Sequence, residues 1–165
     1  MDNPREELLR QIWEAQDTAS YLISEYDSIP HSYGDALLYQ AEALIVELIA
    51  NNPGITATEL SRDLHKTVSA CSQLVRKLRE KGYVEQTRNE NNNRIYNLSL
   101  TEKGQKLYRD HEAFTRNCQN ITFSMLEEFS EEELRHHLMV QNRINEAYRG
   151  DIRRSREREK NGLQQ

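Results

Sequence analysis

The sequence predicts a mainly α-helical protein with one small β-hairpin wing, a winged helix-turn-helix embedded in a helical dimerisation frame. Three observations carry that prediction. Mostly apolar residues step by 4, 3, 4, 3, 4 from Leu8 to Tyr26 and again from Leu107 to Met125, the spacing of long helices with a seam. Between these runs, two short helix signatures meet at the tight turn His65-Lys66. After Gly82 the periodicity falls to two, through Tyr83-Val84-Glu85-Gln86-Thr87 and then Tyr96, Leu98 and Leu100, as in a pair of strands.

The elements follow in order. Asn3-Pro4-Arg5-Glu6 offers an asparagine N-cap and a proline at the first helical position, opening a first helix. Leu8, Ile12, Ala15, Ala19, Leu22 and Tyr26 form its seam, widened by Leu9, Trp13 and Ile23. Ser28 to Gly34 reads as a connector. A second helix is expected from about Asp35 to Ala50, burying Leu37, Ala41, Leu44, Ile45, Leu48 and Ile49, and Asn51-Asn52-Pro53-Gly54 stops it. Thr56-Ala57-Thr58-Glu59 is a capping box for a third helix with Leu60 and Leu64 inward. Thr67 caps a fourth helix reaching about Lys81, apolar at Cys71, Leu74, Val75 and Leu78, with Gly82 beyond its end. Thr101-Glu102-Lys103-Gly104 leads into a long fifth helix. Ser130-Glu131-Glu132-Glu133 caps a sixth, with Leu134, Leu138, Ile144 and Tyr148 on its inner side. The mixed-charge end, RRSREREKNGLQQ, is expected to fray. Residues 35–104 thus form the winged helix-turn-helix, and residues 1–34 and 105–165 the dimerisation region.

Composition narrows the function. At 36% hydrophobic and 30% charged residues, the 165-residue chain suits a helical protein whose apolar seams close in an oligomer. No apolar run is long enough to cross a bilayer, and the start MDNPREELLR has no signal-peptide core, so the expected location is the cytoplasm. The net charge is −5, yet it is unevenly spread. From Ile55 to Gly104 nine Lys and Arg face six Asp and Glu, a net of +3 that leaves −8 on the flanks. A basic middle in an acidic frame suits a polyanion-binding module. There is no nucleophile–base pair, phosphate loop or metal motif, so neither an enzyme nor a cofactor is expected. Cys71 and Cys118 form no CxxC pair, and His31, His111, His136 and His137 show no ligand cluster such as HxxxH.

The fourth helix presents small or amide side chains at its start, Val68, Ser69, Ala70, Ser72 and Gln73, which let a helix approach base edges in a major groove. Arg76 and Lys77 lie further along, placed for phosphates. The hairpin tip RNENNNR carries Arg94 toward a minor groove, with Asn92 to orient it and Arg88 to touch the backbone.

The stretch NPGITATELSRDLHKTVSACSQLVRKLREKGYVEQ, followed by NRIYNLSLTEKG, resembles the multiple antibiotic resistance regulator (MarR) family, from about Tyr39 to Gly104. That resemblance implies a homodimer with interlocked terminal helices, each winged module reading half of an inverted repeat in double-stranded DNA. It implies a repressor released by a small, often aromatic, effector, for which Tyr26, His31, Tyr33 and Tyr39 around the first connector are the candidates. Three positions depart from the family pattern: Asn92 stands where an aspartate is usual, His65 where a glycine is usual, and the first helix has no cysteine. Two alternatives stay open, a thiol-oxidation sensor of the same fold and a winged-helix protein-interaction module without DNA readout.

Overall fold

The computed structural model describes residues 3–90, 92 and 94–162. Its elements run α1 Pro4–Ser28, β1 Pro30–Tyr33, β2 Ala36–Tyr39, α2 Gln40–Asn51, α3 Ala57–Asp63, α4 Val68–Glu80, β3 Val84–Arg88, β4 Tyr96–Leu100, α5 Glu102–Met125 and α6 Glu131–Gly162. The chain divides into two compact units between Asn117 and Cys118, inside α5. No helix among the described residues is long and apolar enough to cross a membrane.

The first unit holds the core. Ile45, Val46 and Ile49 of α2, Leu60 of α3, Cys71, Val75 and Leu78 of α4, Val84 and Leu98 of the β3–β4 hairpin and Leu107 of α5 are all buried in it. Both capping boxes read from the sequence form. Glu59 Oε2 accepts the Thr56 N–H at 2.8 Å while Thr56 Oγ1 accepts the Glu59 N–H at 3.3 Å. The Thr56 backbone bond, then the side-chain one, holds the Glu59 carboxyl below its ordinary pKa. In the second unit Ser130 and Glu133 repeat the arrangement at the start of α6.

Two expectations are corrected. The connector Ser28 to Gly34 and the first turn of the expected second helix are instead a second hairpin, pairing Pro30 with Tyr39 and Tyr33 with Ala36. Gly34, at φ +58°, takes the first central position of its two-residue turn, as a type II′ turn requires. Along β2 the side chains alternate: Leu38 is buried at 1% exposure and Leu37 lies outward at 60%, so Leu37 is not core. The helix starts later because Glu42 Oε2 accepts the Tyr39 N–H at 3.0 Å and turns the chain there. The mixed-charge end does not fray as far as it is described. It stays helical to Gly162, with Arg154 pairing one turn back to Asp151. Leu163, Gln164 and Gln165 lie outside the described residues.

The seam residues of α1 are not covered within its unit. The helix buries no residue, and Leu8, Trp13, Leu22 and Ile23 are all more than half exposed. In the other unit Leu138 and Met139 of α6 are as open.

Two close packings generate predictions. Gly104 of α5 lies against the Tyr83 backbone, so that a Cβ there would run into the Tyr83 carbonyl oxygen. Gly104→Ala should lower the unfolding free energy by about 1–3 kcal/mol in urea titrations, the usual cost of overpacking a tight contact. His111 of α5 is 3% exposed, and its Nδ1 has no hydrogen-bond partner among the described residues, with Glu47 Oε2 at 3.8 Å. Burial pushes its pKa below the ordinary 6.5, against the smaller opposing pull of Glu47 and Glu112. The folded protein thus resists a proton that the unfolded chain takes up, and at 3.8 Å the neutral ring and Glu47 are in contact rather than in an ion pair. The stability tied to His111 is therefore complete above pH 6.5 and falls away as pH drops below it. Urea midpoints measured from pH 7.5 down to about 5 should show that decline in the native protein, and a shallower one in His111→Leu.

Candidate nucleic-acid interface

The α3–turn–α4 unit is built to present one face of α4. Leu64 closes α3, and His65 makes the turn with φ 51°, a left-handed conformation that histidine tolerates better than most residues. His65 therefore makes this turn without a glycine. Thr67 then caps α4, its Oγ1 accepting the Ala70 N–H at 3.2 Å. Cys71, Val75 and Leu78 hold the helix down. Burial pushes the Cys71 thiol above its ordinary pKa, so it is a packing residue with little thiolate character.

Val68, Ser69, Ser72, Gln73, Arg76 and Lys77 all face solvent, while Ala70 is half-buried and offers less than its neighbours. Arg76 Nε holds Glu80 at 2.9 Å, with both side chains largely exposed. Such a pair is worth little and exchanges readily for another anion.

The β3–β4 hairpin brings a second set of groups beside this face. Its strands pair from Val84 with Leu100 to Arg88 with Tyr96. At the tip, Asn92 Oδ1 accepts the backbone N–H of Arg94 at 3.0 Å. Asn92 thus orients Arg94 through the backbone, in place of a salt bridge to the guanidinium. A cleft of about 290 Å³ opens between α4 and the wing, and its lining includes Val68, Ser72, Arg76 and Arg94. It also includes Arg79, which the sequence reading passed over although it lies one turn beyond Arg76 on the same helix. Ser69, Gln73 and Lys77, at steps of four, run along α4 outside that lining, as does Arg88 at the end of β3. Asn91 and Asn93 of the tip lie outside the described residues.

Three of the four effector candidates gather. The His31 ring stacks on Tyr26 at 4.0 Å between centroids, and Tyr33 stands edge-on to Phe114 at 5.0 Å and to His111 at 5.2 Å. Tyr33 is buried, its hydroxyl donating to Gln40 Oε1 at 2.9 Å. Tyr39 is not part of this ring cluster, since alternation along β2 turns it outward. Phe114 and His111 joined the cluster unforeseen; their seam positions on α5 were legible, but the hairpin that carries Tyr33 to them was not.

A family model described as winged helix-turn-helix DNA-binding matches residues 43–85. No curated protein matches the chain. Among solved structures the chain is similar to the zinc-responsive MarR family member ZitR of Lactococcus lactis, with 19% identity, 86% of this chain and 99% of that chain covered and a TM-score of 0.73. It is similar to FabT of Streptococcus pneumoniae, solved in complex with DNA, at 21% identity, 88% and 98% coverage and a TM-score of 0.64. The adhesin competence repressor AdcR of Streptococcus pyogenes follows at 17% identity, 85% and 97% coverage and a TM-score of 0.62. Likeness at these identities establishes architecture, and with the family match over α2 to β3 it makes this chain a winged helix-turn-helix protein with the fold of the MarR-family regulators.

Proposed function

We propose that the protein is a MarR-family transcriptional regulator that binds double-stranded DNA as a homodimer and represses the genes it marks. The observation that carries the reading is the shared cleft. Val68, Ser72, Arg76 and Arg79 of α4 and Arg94 of the wing line one cleft, and none of these five is buried in the core. In this reading Val68, Ser69, Ala70, Ser72 and Gln73 meet base edges in the major groove, Gln73 being able to pair an adenine with two hydrogen bonds. Arg76, Lys77 and Arg88 take phosphates, and Arg94, held by Asn92, enters the flanking minor groove.

The dimer rests on the exposed seam of α1 in one unit and that of α6 in the other, so that residues 1–34 and 105–165 form the frame and 35–104 the reader. A run of large apolar side chains left exposed along one helix is what an interaction surface requires. A twofold dimer sets two recognition helices about 34 Å apart, one turn of DNA. The effector of this regulator is a small aromatic molecule that docks beside Tyr26, His31 and Tyr33, favours a dimer with other spacing and so releases DNA. The protein acts in the cytoplasm and carries out no chemistry of its own.

The test is selection of genomic fragments on the purified protein at near-physiological salt. Enrichment of one inverted repeat, bound by two chains as measured by light scattering, is the expected result. Arg94→Ala should weaken binding to that repeat by about 1–3 kcal/mol and lower the salt slope by about one. Recovery of salt-labile, unselective fragments alone, with Arg94→Ala unchanged, would remove sequence readout and leave the protein-interaction alternative.

A further inference from the structure

We propose that Asn89, at the base of the wing, is the positioning residue for Arg94, acting through a relay of neutral amides that delivers the guanidinium as an uncompensated cation. The inference rests on the DNA-binding reading above and deepens it. Each link is a hydrogen bond. Asn89 follows the last strand rung, Arg88 with Tyr96, and its N–H donates to the Ile95 carbonyl at 3.0 Å. Its side chain works in two directions, Nδ2 donating to Asn97 Oδ1 at 3.1 Å and Oδ1 accepting the Asn92 N–H at 3.2 Å. Asn92 passes the constraint on. Its Oδ1 accepts the Arg94 N–H at 3.0 Å and its carbonyl accepts the Ile95 N–H at 2.9 Å.

An amide suits this role because it carries both donors and acceptors in one planar group. Asn89 therefore ties the loop to β4 in a single step, and the half-buried Asn89 and Asn97 anchor what the exposed Asn92 and Arg94 display. The direction of the long Arg94 side chain follows from the backbone at its root, so fixing that backbone limits where the guanidinium reaches. Asn89 touches no ligand in this scheme.

The second half of the proposal concerns charge. Every group in the relay is neutral, and none of the ion pairs among the described residues includes Arg94. A carboxylate at position 92 would accept the same N–H but set a negative charge beside a guanidinium meant for a negatively charged groove. The asparagine keeps the turn and leaves the cation whole.

The experiment is a double-mutant cycle read by fluorescence anisotropy, using the inverted-repeat duplex recovered by selection and a salt series. Asn89→Ala should weaken binding about tenfold and lower the salt slope by about one, as Arg94→Ala does. The double variant should bind no more weakly than Arg94→Ala alone, a coupling that a general loss of stability does not produce. Losses that add in the double variant, or an Asn89→Ala protein that binds like the native one, overturn the relay. Asn92→Ala runs the same cycle if Asn89→Ala does not fold. Asn92→Asp should bind more weakly than native at low salt and approach it at high salt; equal or tighter binding overturns the claim about charge. Native protein that binds no duplex at all counts against DNA recognition itself, a result distinct from each of these.

Discussion

The geometry of the first unit depends on how the C-terminal end of α4 is tied down. Glu42 is buried to 3% exposure in a region otherwise apolar, and a carboxylate there must find partners or lose several kcal/mol. It finds two: the Tyr39 N–H at 3.0 Å and Lys81 Nζ at 2.9 Å. One bond starts α2; the other fixes the residue that ends α4. Lys103 of α5 completes the tie by donating to the Lys81 carbonyl at 2.7 Å, with its ammonium 4.5 Å above the Tyr83 ring. Thr101 Oγ1 closes on the Gly82 carbonyl at 2.6 Å, and the absence of a side chain at Gly104 lets α5 lie against Tyr83. Three helices and the wing are thus joined at one corner, around a buried carboxylate that would be costly to leave unpaired. The start of α4 is held differently, by the Thr67 cap and by fully buried Cys71, which leaves Val68, Ser69 and Ser72 outward.

Much of this was legible in the sequence, for reasons that can be named. The helix-turn-helix and the wing are local. A capping box, a turn residue that tolerates positive φ and a switch of periodicity from 3.6 to two are all written within a few residues of where they act. The β1–β2 hairpin shows the limit. Its strands are four residues each, and Leu37, Ala41, Leu44 and Leu48 happen to continue a helical spacing backward from α2. The true signals, Pro30 at a strand start and Gly34-Asp35 as a two-residue turn, were present and weaker than that coincidence. What decided the register is Leu38, buried from β2, and sequence spacing alone cannot say which of two adjacent leucines faces the core.

The candidate site divides along the same line. The polar stripe of α4 and the position of Arg94 follow from local pattern, so the residues expected to face solvent do so, apart from half-buried Ala70. That Arg79 shares a cleft with Arg94 does not follow, because it depends on how the hairpin leans over the helix. Glu42 escaped notice for a related reason. A glutamate near a helix start reads as a solvated cap, and only the arrival of Lys81 from 39 residues away makes it structural.

Charge then sets what such a surface can do. The helix and wing carry Arg76, Lys77, Arg79, Arg88 and Arg94 in the open, and Glu80 holds Arg76 through an exposed pair. A phosphate of equal charge can replace Glu80 at little cost, because an exposed pair gains almost nothing over solvation. The remaining chain carries −8 by the division above, yet that charge is not uniform, since residues 149–160 hold six Lys and Arg against three Asp and Glu. Charges further away than a Debye length of about 8 Å at physiological salt are largely screened, so what a surface attracts is set by its own neighbourhood. Net acidity of the whole chain is therefore compatible with a locally basic face on α4 and the wing.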